Sequence, residues 1–363
     1  MKILALVLPV FLFVSFMQSY FFCYLDQSTE RIRRYYLEDE NSLDVVFLGA
    51  SEMPTAFAPG LAYKQHGFTS YLYTIDANPG SLYKYELKEI LSTQNPQTIV
   101  VEINGFLYDD DYQNQEVRLR MFAENIPFSL NKLDAIFHYE IADKTSVALP
   151  FIKYHGDWIK GSKLLESYRW KTERAAGPAL LKGITTCTLV APLDEAVLEE
   201  SSADTGKTVI AERYLIDFLE YCKEAEISNL VFVRLPHRNR TSHVVAVSQV
   251  EQVLANYGYP LLNLEEKHEE IGLDYHRDFF NDEHVNIYGM EKLTGYLGAY
   301  LADEVLGEPM AQSEENAAHW AQCAEAFKTY RAYAYDRTEK GIEAWPGEEP
   351  YEVAQIQIWL EEA

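Results

Sequence analysis

The chain of 363 residues is 48% apolar and 13% aromatic, and its formal net charge is −25. This composition excludes a disordered chain and suffices for one large domain with an insertion, or for two smaller domains. The negative charge repels a phosphate backbone and no long basic stripe offsets it, so nucleic acid is not an expected partner. The four cysteines lack the spacing of a zinc site or a disulfide framework, and no metal or cofactor is predicted.

The N-terminus is uncharged and apolar from residue 3 to residue 25. A helix of that length crosses a hydrocarbon core of about 30 Å. The alternative, a cleaved signal peptide, has a shorter apolar region that ends in small residues, whereas three aromatic residues stand at 20–22. We therefore predict that residues 1–26 are a transmembrane anchor. Charge leaves its orientation open: counting basic residues alone places the body in the cytoplasm, but acidic residues are mixed among them.

The body of the chain alternates short β-rich segments with helical segments. The five predicted strands mostly lack polar alternation, as expected of strands buried on both faces; they are residues 44–49, 70–74, 98–103, 229–235 and 260–264. Helices are predicted for residues 81–93, 211–225 and 248–258. This order predicts an α/β domain with a doubly wound parallel sheet. Ligands of such sheets bind beyond the carboxyl ends of the strands.

Two segments fall outside this alternation. Residues 105–209 are too many for a simple crossover, and their apolar and aromatic pieces predict a mainly helical insertion that caps the site. Near the C-terminus, one helical stripe is predicted to dock on the body; it consists of Trp320, Cys323, Phe327, Tyr330 and Ala334. An acidic tail follows at 348–363. The predicted parts are therefore the anchor, a body over 40–305 and a C-terminal region over 306–363.

A serine and a histidine are both expected at the carboxyl edge of the sheet. Ser51 follows the first strand in the tight turn 49–51. His284 lies in a polar loop after the last strand, just before a helix opened by Tyr288 and Gly289. Two such residues can meet in space as nucleophile and base although they are far apart in sequence. The alternative for Ser51 alone is a helix cap, a common role of serine where a strand turns into a helix.

With these residues in place, the sequence resembles the SGNH or GDSL-like hydrolases. More narrowly, it resembles the membrane-anchored, secreted members of Gram-positive bacteria that are related to the D-alanyl transfer protein of teichoic-acid operons and to alginate-type acetyltransferases. The matching motifs are DVVFLGAS for the nucleophile, PQTIVVEINGFLYDDD for the third strand and its loop, LPFIKYHGDW in the insertion and FFNDEHVNIYG for the histidine. As an ordered set they span residues 40–305.

This resemblance implies a three-layer α/β/α domain with a five-stranded, flavodoxin-like parallel sheet. It implies that Ser51 attacks an acyl carbonyl and that His284 is the general base and then the general acid. It implies that the oxyanion is held by the backbone N–H of Ser51 and by two further donors, of which Asn104 is one by its position. The resemblance also implies that the body lies outside the cell membrane, where envelope polymers are modified.

Two positions depart from the family pattern. The family usually has Asp three residues before the catalytic histidine, where this chain has Asn281. The amide oxygen of Asn281 can accept a hydrogen bond from the imidazole but brings no charge, and Asp282 or Asp278 takes the role if the loop register differs. The family's second block has a glycine after its strand, where this chain has Thr74 and Ile75. One oxyanion donor is therefore in question.

A basic cluster follows the fourth predicted strand of this very acidic protein. It comprises Arg234, His237, Arg238, Arg240 and His243. One interpretation is local charge balance against neighbouring acidic residues. The functional interpretation is a pocket for a phosphate or carboxylate of the substrate, formed by the first four of these residues, because guanidinium groups match such shapes.

Two functions of different classes are open at this point. The first is a cell-envelope serine ester hydrolase or O-acyltransferase that acts on an acylated glycan or a teichoic-type polymer. The second is a catalytically weak or inactive, membrane-tethered binding or scaffolding partner of an acyl-transfer complex. The candidate partners are the membrane, reached through the N-terminal helix, an acylated envelope polymer and a membrane-bound O-acyltransferase.

Overall fold

The computed structural model describes residues 9–10, 12–17, 21, 27–157, 159–169, 179–185, 187–192, 211–238 and 243–343. Within them the sheet is five-stranded and all-parallel, so the predicted α/β class is confirmed. The strands are β1 (Val45–Gly49), β2 (Ser70–Thr74), β3 (Thr98–Glu102), β4 (Leu230–Arg234) and β5 (Leu261–Asn263). All five predicted strands are therefore confirmed, each within two residues of its expected bounds.

The α-helices from residue 27 onward are numbered in chain order. They are α1 (Gln27–Tyr35), α2 (Met53–Ala56), α3 (Pro59–His66), α4 (Gly80–Thr93), α5 (Asp110–Gln113), α6 (Glu116–Ala123), α7 (Leu130–His138), α8 (Lys144–Ala148), α9 (Pro150–Lys153), α10 (Gly161–Arg169), α11 (Glu212–Glu224), α12 (Val244–Asn256), α13 (His268–Ile271), α14 (Ile287–Tyr300) and α15 (Glu314–Glu339). Short 3₁₀ turns occupy Ile103–Phe106 and His155–Asp157, and a π turn at Leu301–Val305 extends α14.

The order of the strands positions the candidate site. It is β2-β1-β3-β4-β5, and every neighbouring pair is parallel. This is the flavodoxin-like order, in which the chain changes direction across the sheet between β1 and β3. The carboxyl ends of these two strands therefore flank the crevice where ligands of open α/β sheets usually bind.

Alternate residues of the strands enter two apolar cores, one on each face of the sheet. In β1, Val46 and Leu48 join the first core, whereas Val45 and Phe47 join the second. Helices α1, α4, α11 and α12 contribute to the first core, and α3, α14 and α15 contribute mainly to the second. The sheet is therefore covered on both faces, which agrees with the burial of β1, β2 and β3 along their whole length.

The three crossover helices predicted from the sequence are α4, α11 and α12. Helix α12 begins at Val244, four residues before the expected start at residue 248. The run 244–247 contains three β-branched valines, which have low helix propensity. Burial of Ala246 and Val247 in the first core outweighs that preference. The packed body also begins before residue 40, because Ile32 and Tyr35 of α1 lie in the same core.

The predicted insertion is helical over much of its described part. Leu119, Phe122 and Ile136, from α6 and α7, pack into the first core. The helices around them therefore thicken one face of the sheet. The described segment 187–192 instead reaches the loop of His284, where Ala191 N–H donates to the carbonyl of Phe279 at 3.0 Å. Of the insertion, residues 158, 170–178, 186 and 193–209 lie outside the described residues.

Helix α15 docks through the predicted stripe: Trp320, Cys323, Phe327, Tyr330 and Ala334 are all buried. It approaches α3 closely, since a Cβ added to Gly60 would lie 2.6 Å from the carbonyl oxygen of Cys323. Glycine at position 60 therefore allows the two helices to pack with their backbones nearly in contact. The predicted acidic tail at 348–363 lies outside the described residues.

The predicted membrane anchor is mostly outside the described residues. Of residues 1–26, only 9–10, 12–17 and 21 are described. Among the residues that the structure describes, no helix combines the length and the apolarity needed to span a bilayer.

Two helical glycines give a matched test of the packing of α15. We expect Gly60→Ala to lower stability by about 1–3 kcal/mol, because the new methyl group meets the Cys323 backbone. Gly295→Ala in α14 is the control: nothing lies within 4 Å of the added Cβ, so it should raise stability by about 0.5–1 kcal/mol. Denaturant unfolding of the purified variants measures both values. Equal effects of the two substitutions would contradict this packing.

Candidate active site

The candidate nucleophile lies where the sequence predicts it. Ser51 stands two residues beyond β1, at the carboxyl edge of the sheet and beside the β1–β3 crevice. Its Oγ is 2.9 Å from Nε2 of His284, a hydrogen bond that joins residues 233 positions apart. The two residues paired on sequence grounds therefore meet in the structure.

Asn281 determines which nitrogen of His284 carries the proton. Its Oδ1 accepts backbone N–H bonds from Glu283 at 2.9 Å and from His284 at 2.8 Å. Only the oxygen of an amide can accept these bonds, so Oδ1 is also the atom that faces His284 Nδ1, at 3.0 Å. The imidazole must then be protonated on Nδ1. Its Nε2 is left as an acceptor for the Ser51 hydroxyl, the tautomer that a general base needs.

The surroundings of His284 favour its neutral form. Its ring stacks on that of Phe280, with centroids 5.5 Å apart. Burial lowers the pKa of His284 below its ordinary value of about 6.5, although the carboxylates of Glu52 and Glu283 act in the opposite direction. At neutral pH the imidazole is therefore available to accept a proton.

The two aspartates considered as substitutes for Asn281 have other partners. Asp282 lies beside Arg238, which donates through Nε to its carboxylate at 3.3 Å and through its backbone N–H to its carbonyl at 2.8 Å. Asp278 accepts from Lys292 Nζ at 2.6 Å and from the backbone N–H of Asp274 at 2.7 Å. The side chain that contacts Nδ1 of His284 is that of Asn281, whereas the carboxylates of Asp282 and Asp278 are bonded to Arg238 and Lys292.

Glu52, the residue after Ser51, lies at the centre of a buried network of charges. Its carboxylate is 2.9 Å from His237 Nε2 and accepts a hydrogen bond from Asn104 Nδ2. Glu265 is 2.7 Å from His237 Nδ1 and 3.2 Å from Arg234 Nη2. Arg234 is the last residue of β4, and each of the other four side chains lies shortly after a different strand. The network therefore joins the carboxyl ends of β1, β3, β4 and β5.

The network keeps its members charged. Burial alone would raise the pKa of Glu52, but the positive charges of His237 and Arg234 lower it to about 2. Burial alone would lower the pKa of His237, but the carboxylates of Glu52 and Glu265 raise it to about 9. At neutral pH the site thus contains a carboxylate and an imidazolium in direct contact, one residue from Ser51.

Asn104 is fixed in one orientation by this network. Its Oδ1 accepts from Arg234 Nη1 at 3.0 Å, while one hydrogen on Nδ2 goes to Glu52. The second hydrogen on Nδ2 has no acceptor among the described residues. The backbone N–H of Ser51 has no acceptor among the described residues. Both atoms proposed as oxyanion donors can therefore donate.

Glu102, at the end of β3, holds the turn that carries Ser51. Its carboxyl group accepts from the backbone N–H of Ala50 at 3.0 Å and from that of Asn104 at 2.7 Å. A Cβ on Gly49 would lie 2.7 Å from the Cβ of Glu102, so glycine is required there. Burial, reinforced by the charge of Glu52, raises the pKa of Glu102 to about 8. The protonated carboxyl adds no second negative charge beside Glu52.

The predicted anion pocket does not fit this arrangement. Arg234 and His237 are buried and bound to protein carboxylates and to Asn104, so they do not face a substrate. Arg238 is 3% exposed and donates to the carbonyls of Ala191 and Pro192. It thereby joins the segment 187–192 of the insertion to the His284 loop. The fourth predicted member, Arg240, lies outside the described residues.

The loop after β2 supports the Ser51 turn from the other side. Asn78 Nδ2 donates to the carbonyl of Gly49 at 3.1 Å and to Glu86 at 2.8 Å. The glycine that the family has after this strand is missing here, because the first glycine of the loop is Gly80. The left-handed backbone conformation in the loop is adopted by Ala77, with φ of 51°. Burial raises the pKa of Glu86 to about 8, so the carboxyl that holds Asn78 is largely protonated at neutral pH.

Sequence reasoning missed the acidic half of the network, Glu52 and Glu265. Glu52 follows the turn after the first predicted strand, and Glu265 directly follows the fifth predicted strand. Both therefore belong to the same edge of the sheet as the basic cluster. That placement was the available signal. It favours the charge-balance interpretation of Arg234 and His237 over the substrate-binding interpretation.

Comparison of the sequence with models of protein families gives no match, and comparison with curated proteins gives none either.

The buried carboxyl of Glu86 gives a prediction on pH. Its pKa in the folded chain is about 8, above the ordinary value of 4.5, so folding keeps a proton that the unfolded chain releases. This residue therefore makes the protein less stable as pH rises from about 4.5 to about 8. We expect Glu86→Gln to remove that loss. The difference in unfolding free energy between variant and wild type should grow from pH 4 to pH 8; a difference independent of pH would contradict it.

Proposed function

We propose that this chain is a serine ester hydrolase or O-acyltransferase of the SGNH type. What carries the proposal is the hydrogen bond of 2.9 Å between Ser51 Oγ and His284 Nε2, with Asn281 on the opposite nitrogen of the ring. A nucleophile, a base and an orienting group in this order define activated-serine chemistry on many unrelated folds. The flavodoxin-like strand order agrees with the SGNH assignment but supports the fold alone.

In the proposed first step, the Ser51 hydroxyl gives its proton to His284 Nε2 while Oγ attacks the acyl carbonyl. The carbonyl oxygen becomes an oxyanion, stabilised by the Ser51 backbone N–H and by the remaining N–H on Asn104 Nδ2. His284 then returns the proton to the departing alcohol oxygen, which leaves an acyl group on Ser51. Water or a sugar hydroxyl attacks this ester in the second half, with His284 again as base.

The pair of Glu52 and His237 has a positioning role in this proposal. Glu52 binds the amide of Asn104, and His237 balances the charge of Glu52. Without that balance, the carboxylate would repel the oxyanion that forms nearby. The paired charges therefore hold an oxyanion donor while contributing little net negative potential.

Asn281 makes the proposed base weaker than one paired with a carboxylate. In a serine protease the exchange of Asp for Asn lowers turnover by about 10⁴-fold, largely because the histidine then has the wrong tautomer. Here the backbone N–H bonds to Asn281 Oδ1 preserve the required tautomer. The remaining deficit is the missing charge, so we expect slow but measurable catalysis.

We further propose that the body acts outside the cell membrane on an acylated glycan or a teichoic-type polymer. This part rests on the apolar segment at 3–25 and on the resemblance of the motifs, and protease accessibility of the body on intact cells tests it. The N-terminal segment serves in this proposal as the membrane anchor.

The first prediction concerns the pair itself. Ser51→Ala should abolish release of acetate from an acetylated substrate, and His284→Ala should lower it nearly as far, because nucleophile and base act as one unit. The matched controls are Ser92→Ala in α4, whose hydroxyl donates to the carbonyl of Glu89, and His276→Ala, an exposed residue whose backbone N–H donates to Asp274; both should keep wild-type rates. Thermal unfolding should separate loss of chemistry from loss of fold. Full activity of Ser51→Ala would exclude Ser51 as the nucleophile, and absence of activity in the folded wild type would favour a tethered binding protein instead.

The second prediction concerns Asn281. Asn281→Asp keeps the acceptor of both backbone N–H bonds and adds the missing charge, so kcat should rise about tenfold or more. The same charge should raise the pKa of His284, which shifts the acidic limb of the pH–rate profile upward.

Asn281→Ala is the control for this change. It removes the acceptor for His284 Nδ1, so kcat should fall below that of the wild type. A fall in kcat with Asn281→Asp, or an unchanged pH profile, would show that the imidazole is not oriented through residue 281.

A further inference from the structure

Residues 128–168 of the insertion expose many apolar side chains that the proposed chemistry at Ser51 does not use. Among the described residues, eighteen large apolar side chains are exposed, and eight of them lie in this stretch. The most exposed are Ile159 at 93%, Leu130 at 83% and Phe128 at 63%. Single apolar side chains are ordinary on a protein surface, whereas a concentration of them marks an interaction site.

These side chains belong to one region of the molecule. Helices α7, α8 and α9, the turn His155–Asp157 and α10 each pack on the next element along the chain. The side chain of Lys144, which begins α8, donates to the carbonyl of Phe137 near the end of α7. In α10 the exposed Leu165 and Tyr168 are three residues apart and so lie on one face of the helix. We call the exposed apolar side chains of residues 128–168 the insertion surface.

The apolar N-terminal segment reaches the insertion surface. The ring of Phe21 stacks on that of Tyr168, with centroids 5.4 Å apart and planes 16° apart. Phe16 meets Phe21 edge-on, with centroids 6.2 Å apart. Four side chains of the N-terminal segment are among the eighteen exposed apolar groups, in addition to the eight of the insertion surface. Two segments in contact therefore supply twelve of the eighteen.

The sequence of α9, α10 and the residues beside them has the composition of a membrane-interface segment. Residues 151–170, FIKYHGDWIKGSKLLESYRW, contain two of the five tryptophans of the chain and two tyrosines. They also contain four Lys or Arg and only two Asp or Glu, in a protein whose net charge is −25. Tryptophan and tyrosine concentrate where hydrocarbon meets water, and long basic side chains extend from there to the lipid headgroups.

We infer that the insertion surface lies in the headgroup region of a lipid bilayer. The inference rests on the membrane part of the proposed function, since the bilayer is the one that the N-terminal segment is proposed to cross. Helices α7 to α10 have between four and nine residues, whereas a helix that spans a bilayer needs about 20, so they lie along the surface. This second contact holds one side of the body against the membrane, where the segment alone would leave the body free to turn.

The test measures contact with lipid at single labelled positions of the full chain. The described cysteines are buried, so Cys23→Ser gives a background for thiol labels. Ile159→Cys and Leu165→Cys place a bimane label on the insertion surface, and Phe13→Cys places one in the N-terminal segment. The control is Ile342→Cys, because Ile342 follows α15 and is 39% exposed, as Ile152 of the insertion surface is. Unchanged melting temperatures confirm that each labelled chain is folded.

The labelled chains are placed in vesicles of equal parts phosphatidylcholine and phosphatidylglycerol, with and without a doxyl-labelled phosphatidylcholine. The doxyl lipid should quench the labels at 159 and 165 and leave the label at 342 unchanged. Unquenched labels at 159 and 165 would overturn the inference and leave the insertion surface to a protein partner. Equal quenching at 342 would also overturn it, because the contact would then not belong to one side of the body.

The label at position 13 reports separately on the proposed anchor. Quenching there, with unquenched labels at 159 and 165, would keep the anchor and reject the second contact. An unquenched label at 13 would contradict the anchor, while positions 159 and 165 would still decide whether the insertion surface meets lipid. Failure of the anchor and failure of this inference are therefore observed at different positions of the chain.

Discussion

A buried carboxylate beside the candidate nucleophile is the constraint on which this site depends. An unpaired carboxylate removed from water costs several kcal/mol, so the position of Glu52 requires matching positive charge. His237 and Arg234 provide it, and Glu265 in turn balances them. Since these residues come from different strand ends, the matching of charge also fixes the geometry of the crevice. The orientation of Asn104 is one consequence of that matching.

Much of the fold could be predicted from the sequence. Strands covered on both faces show apolar, β-rich runs, and helices between them have a periodic apolar face, so both leave a local signal. The meeting of Ser51 and His284 followed from topology, because parallel strands bring their carboxyl ends to one edge. The sequence therefore predicts the strands and helices that have a local periodic pattern, and it predicts which residues lie at the carboxyl edge of the sheet.

The direction of individual side chains could not be predicted in this way. Arg234 and His237 were expected to face a substrate, but the register of β4 turns them onto Glu52 and Glu265, which are distant in sequence. The role of Asn281 likewise depends on two backbone N–H groups whose directions only the folded loop determines. In both cases the decisive partner is set by tertiary structure.

The central claim is that Ser51 is a nucleophile activated by His284. Reaction of the purified chain with a fluorophosphonate, followed by peptide mapping, tests it most directly, because only an activated serine attacks phosphorus at an appreciable rate. The account predicts one modified residue, Ser51, and no modification when His284 is replaced by alanine. Absence of label on the folded wild-type chain, or label on another serine that persists in Ser51→Ala, would contradict it.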